Sequence, residues 1–114
     1  MVLEYLKDES KVTRYDYRLY KTEVDYYDGG TSTKTKETYN DFINLNRNTL
    51  TNYDRGDEYR YSMTQDGDTY ILELLTESEY ASYETATLEI LEDELVISYS
   101  EDGYGDVTLT YKKL

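Results

Sequence analysis

Residues 58–75 read E-Y-R-Y-S-M-T-Q-D-G-D-T-Y-I-L-E-L-L, two alternating runs on either side of an Asp-Gly pair. Asp-Gly suits a type I′ hairpin turn, which needs φ > 0 at both central residues. Centring the turn on Asp66-Gly67 sets Met63 opposite Tyr70, Tyr61 opposite Leu72 and Tyr59 opposite Leu74. On the other face Arg60 then meets Glu73 and Thr64 meets Thr69. One face is apolar and aromatic, the other polar, and a one-residue slip would mix the two. The stretch therefore predicts an antiparallel hairpin with one buried face, and with it an all-β fold.

The same alternation continues downstream. Across Glu92-Asp93, Ile90, Leu88 and Ala86 face Leu95, Ile97 and Tyr99, and these in turn face Tyr111, Leu109 and Val107 across residues 100–106. Upstream, residues 10–27 and 31–45 flank the turn Asp28-Gly29-Gly30-Thr31. Pairing them about that turn sets Asp25 opposite Lys34, Glu23 opposite Lys36 and Arg18 opposite Asp41, with Tyr17 facing Phe42 and Tyr20 facing Tyr39. Opposite charges across a ladder support that register. The tip of this hairpin, residues 21–36, has few large apolar residues besides Val24, Tyr26 and Tyr27, so it is expected to project beyond the core as a mobile ribbon, with those three as a docking patch. Residues 49–53 form a brief strand, and residues 77–83, which lack Gly, have room for one helical turn.

The count is eight strands linked as hairpins, preceded by a short helical segment over residues 2–9. An antiparallel eight-stranded meander with one apolar face per strand buries its edges by closing into a barrel. The 114 residues make a single domain, 1–114, large enough for one core. There is no Pro to interrupt a ladder.

Composition narrows function. With no Cys and no His, disulfides, thiolate nucleophiles, zinc-thiolate sites and Ser-His-Asp or Cys-His catalysis are excluded, and no enzyme activity is expected. Twenty-five acidic against 12 basic residues give a net charge of −13, which argues against direct nucleic acid binding. It suits a soluble surface, or alternatively an acidic face that meets a basic protein surface as a nucleic-acid mimic would. Asp66-Gly67-Asp68 and the D-G-Y-G-D run at 102–106 cluster carboxylates but lack EF-hand spacing. They read as turns, and neither metal nor cofactor is expected. No apolar run is long enough to make a transmembrane helix, and Met1-Val2-Leu3-Glu4 lacks the start of a signal peptide. The chain is expected inside the cell, or in the envelope or outside if a leader once preceded it.

The helical start, the eight-strand meander and the closing L-E-D-E-L-V-I-S-Y-S-E-D-G-Y-G-D-V-T-L-T-Y-K-K resemble the small lipocalin-like domains of bacterial cell-envelope proteins. The resemblance is best over residues 38–113, where Y-N-D-F-I-N-L-N, the 59–74 hairpin and the last three strands follow that family's rhythm. The family's Gly-x-Trp at the start of the first strand is replaced by Ser10-Lys11-Val12, while Lys112 or Lys113 stands where its basic partner is expected. The resemblance implies a lipocalin-like barrel and a non-catalytic module that binds a small apolar or amphipathic ligand or serves as a cell-envelope interaction domain. Sixteen tyrosines supply its candidate lining. Tyr59, Tyr61 and Tyr70 share a face, as do Tyr99 and Tyr111, and together with Tyr15 and Tyr17 they are expected to line or cap the interior. As core they fill volume; as a site they offer flat walls with polar tips.

Overall fold

The computed structural model describes residues 15–114. The helical segment expected over residues 2–9 lies outside them. Nine strands follow in order: β1 (Tyr17–Tyr26), β2 (Thr31–Thr35), β3 (Asp41–Leu45), β4 (Thr49–Asp54), β5 (Asp57–Asp66), β6 (Thr69–Leu74), β7 (Thr85–Ile90), β8 (Glu94–Glu101) and β9 (Gly105–Lys113). The sheet runs β2-β1-β3-β4-β5-β6-β7-β8-β9, and β1 also pairs with β9. That pairing closes eight antiparallel strands, β1 with β3 to β9, into a barrel, and leaves β2 as an additional edge strand.

The last three strands pair in the register the alternation dictates, with Ile90 opposite Leu95, Ile97 opposite Leu109 and Leu95 opposite Tyr111. The central hairpin forms two residues away from its expected register. Met63 faces Leu72, Tyr61 faces Leu74 and Gln65 faces Tyr70. The two-residue loop is Gly67-Asp68, with Gly67 at φ 66°. Glycine takes the first central position, as a type II′ turn requires, rather than the second position of a type I′ turn. A shift of two preserves parity, so every side chain keeps its expected face.

The first hairpin departs further. The segment expected as one strand over residues 31–45 is two, β2 and β3, both on the same edge of β1. Asp25 lies opposite Thr31 and Glu23 opposite Thr33, so neither expected lysine pair forms; Arg18 lies opposite Phe42, and Tyr17 opposite Ile43. Nor is the tip a free ribbon. The outer half of β1 pairs with β9 from Lys21 opposite Thr110 to Tyr26 opposite Gly105, so the projection is backed on both sides. It does extend the molecule, whose principal dimensions are 55 × 30 × 29 Å.

A β-bulge between Leu19 and Lys21 inserts Tyr20 and reverses the parity of β1. Tyr17 and Leu19 face inward before it, and Val24 packs against the core after it. Beyond Val24 the two backbones come together at Gly105, which is buried. A Cβ there would stand 2.5 Å from the carbonyl oxygen of Asp25. Gly105→Ala is therefore expected to cost about 1 to 3 kcal/mol, the usual range for forced overpacking, in a urea titration. A variant as stable as the parent would mean that β1 and β9 separate there at no cost.

Candidate functional site

The core is aliphatic with tyrosines set into it. Ile43, Leu50, Leu72, Leu88, Leu95 and Ile97 are fully buried, and with them Tyr61 and Tyr111. Of the tyrosines expected inside, Tyr17, Tyr59, Tyr61 and Tyr111 are buried, and Tyr70 and Tyr99 pack against the core. Tyr15 is elsewhere. It stacks on Phe42 at 4.3 Å and lies 5.0 Å from Tyr53, both on the face of β3 and β4 opposite to inward Ile43 and Asn52. It precedes β1, where strand alternation no longer dictates its direction.

Two interior residues go beyond those expected. Tyr83 comes from the connection 75–84, which forms no helical turn, and its ring slots between Tyr61 (4.9 Å) and Tyr99 (4.8 Å). Tyr61 donates its hydroxyl proton to the carbonyl of Tyr83 at 2.9 Å, and the buried Tyr83 hydroxyl has no hydrogen-bond partner among the described residues. Burial pushes both phenols upward. Asp41 faces inward with Ile43, and one carboxylate oxygen accepts from Asn52 Nδ2 at 2.7 Å and from the Tyr111 hydroxyl at 2.8 Å. Desolvation nevertheless outweighs those donors and pushes Asp41 up to about 6. The rings of Tyr61, Tyr83 and Tyr99 pack on one another inside the barrel, and a hollow over β6 to β9 is lined by Ile71, Ala86, Thr87, Ser98, Tyr99 and Thr108.

The exterior is organised by the meander. Alternate connections fall at opposite ends of the barrel, so the β1–β2 tip, the β4–β5 turn, the β6–β7 connection and the β8–β9 turn share one end. That end gathers Asp28, Asp54, Asp57, Glu77, Glu79, Glu84, Glu101 and Asp102, against Arg55 as the one cation in its connections. Tyr80, 80% exposed, Tyr27, 56% exposed, Leu75 and Tyr104 project there as well. Backbone bonds anchor the β6–β7 connection at its base, Leu75 N to Arg60 O and Leu74 N to Glu84 O, both 2.8 Å.

The expected tip patch is divided by its environment. Val24 turns inward, Tyr26 meets Tyr104 edge to face at 5.3 Å, and Tyr27 remains exposed with its hydroxyl donating to Asp106 at 2.8 Å. Hydrogen bonds from Ser100 and Tyr27 hold the Asp106 carboxyl below the usual carboxylate range. Tyr80 and Tyr104 had no place in the sequence reading, since a connection without periodicity does not reveal which residue it exposes.

In class the molecule is a closed, antiparallel, eight-stranded β-barrel with a packed interior and a charged, aromatic end. No family model, curated protein or solved structure matches the chain.

Proposed function

We propose that the chain is a non-catalytic protein-interaction module whose acidic, tyrosine-bearing end docks on a basic protein surface. The composition of that end carries this reading: eight carboxylates beside Arg55 as the one cation in its connections, with Tyr27, Tyr80 and Tyr104 exposed among them. Residues 1–14 hold three acidic and three basic residues, so the whole excess of −13 belongs to the barrel and its projection. Among the described residues only two ion pairs form, Lys21 with Glu23 at 3.8 Å and Arg55 with Asp54 at 3.6 Å. Asp41 and Asp106 are engaged by hydrogen bonds within the barrel, while Glu77, Glu79 and Glu84 of the β6–β7 connection form no ion pair among the described residues and are left for a partner. Exposed tyrosines beside them suit an interface, where Tyr gives large contact area with few torsions to freeze. The lipocalin-like resemblance enters this proposal as the scaffold, with the ligand role moved from the interior to the surface.

The test is affinity capture of a basic protein by the full chain, repeated across ionic strength and with variants. Retention is expected to fall steeply between about 0.05 and 0.5 M salt, as the screening length shrinks from roughly 14 to 4 Å. Tyr80→Ser combined with Glu77→Gln and Glu79→Gln should weaken the captured complex about tenfold or more without changing the unfolding midpoint. Retention indifferent to salt and to these substitutions would refute the proposal.

A further inference from the structure

We propose that the hollow between β1, the β2–β3 connection and the end of β9 binds a small anionic amphiphile, a carboxylate or sulfate carried on an apolar body. Arg18 and Lys112 lie directly opposite one another in the β1–β9 ladder. Like charges in that relation destabilise a sheet, and a chain with more than twice as many acidic as basic residues has ample carboxylates to separate them. It does not use them. Neither cation forms an ion pair among the described residues, and Glu94, the neighbour of Lys112 on β8, forms none with it. Both are held over aromatic rings instead: Arg18 lies 5.0 Å from the centre of Phe42 and Lys112 4.0 Å from that of Tyr20. Lys36 over Tyr39, at 5.3 Å, adds a third cation on the same hollow.

The bulge makes this possible. Tyr20 is the inserted residue, and its carbonyl accepts from Lys36 N at 3.0 Å, which draws the connection and its lysine over β1. The guanidinium is positioned by Nε donating to Tyr39 O at 2.9 Å, leaving its outer N–H groups to face an anion. Leu19 and Leu114 give the hollow an apolar part, and Glu37, exposed at the rim, is its one carboxylate side chain. Its volume, about 240 Å³, falls below the roughly 300 to 1,000 Å³ of clefts that enclose drug-sized ligands. It therefore holds a headgroup and the first part of an apolar body.

The experiment titrates the isotope-labelled full chain with octyl sulfate below its micellar concentration, with inorganic sulfate and octyl glucoside as parallel arms, and follows backbone amide shifts. Octyl sulfate is expected to move the amides of Tyr20, Lys36 and Lys112 and to bind about tenfold more tightly than either arm. Arg18→Gln with Lys112→Gln should weaken it about tenfold while the unfolding midpoint holds or rises, because a like-charge pair has been removed. Equal affinity for octyl glucoside or for inorganic sulfate, or shifts confined to other residues, would overturn the assignment. So would a fall in stability that accounts for the lost binding. Should the double variant not fold, Lys36→Gln, on an exposed connection, carries the test: about a threefold loss is expected, and unchanged affinity would count against the proposal.

Discussion

Replacing Asp41 by Asn is expected to stabilise the protein by about 2 to 3 kcal/mol at pH 7.5 and to leave its stability nearly unchanged at pH 3.5. The carboxyl titrates at about 6 in the folded barrel, against about 3.9 in an unfolded chain. Folding therefore favours the protonated form. The stability this contributes is fully present below about pH 4, is lost as pH rises towards 6, and stays lost above it. Asn keeps what the site uses, since a single oxygen of Asp41 accepts from both Asn52 and Tyr111. It removes what the site opposes, a charge in a desolvated position beside Asp54. Urea titrations of parent and variant at both pH values isolate this group, because the general relief of negative repulsion in acid is common to both chains. An equal difference at the two pH values, or a loss at pH 7.5, would mean that the buried carboxylate is compensated and the account wrong.

Tyr61→Ala should be the most damaging single change, with a loss of about 3 to 5 kcal/mol, the range for emptying a large buried aromatic site. Tyr61 is 1% exposed, stacks on Tyr83 and bonds its carbonyl, so the substitution opens a cavity and frees the connection that closes one end of the barrel. Against a typical domain stability of about 5 to 15 kcal/mol, this brings the fold close to its limit. Two companions separate ring from hydroxyl. Tyr61→Phe keeps the stack and should cost about 1 kcal/mol for the lost bond, while Tyr83→Phe should be neutral or slightly stabilising, since that hydroxyl has no partner among the described residues. A loss above about 2 kcal/mol for Tyr83→Phe would show that the hydroxyl is satisfied after all.

Particular residues show where the sequence was legible. The registers of β7, β8 and β9 followed from alternation and short turns, because each shift by one would have turned Leu88, Ile97 and Leu109 to water. In the central hairpin parity was readable but turn type was not: Gly67 serves either turn position, and the two choices differ by two residues of register. Charge complementarity misled at the first hairpin. Exposed pairs such as Asp25 with Lys34 are worth only about 0 to 1 kcal/mol, too little to prevail over the four-residue tip between β1 and β2 and the pull of β9 on the other edge. Asp41 was findable, since it shares parity with Ile43 and Leu45. Tyr83 was not, for an aperiodic connection carries no signal of which ring it buries.

The sequence alone determined the all-β class, the inward faces of most strands and the eight-strand count of the barrel, all of which arise from alternation acting on residues close in the chain. Only the tertiary structure decided what distant segments do when they meet. Closing β1 onto β9 joins the two ends of the described chain, and that one pairing backs the tip, forces Gly105 against Asp25 and sets Arg18 beside Lys112. The burial of Asp41 beneath Tyr111, and the plugging of one end by Tyr83, depend on the same closure. No local pattern encodes such meetings, because the energy that selects them is the burial of the whole inward surface at once.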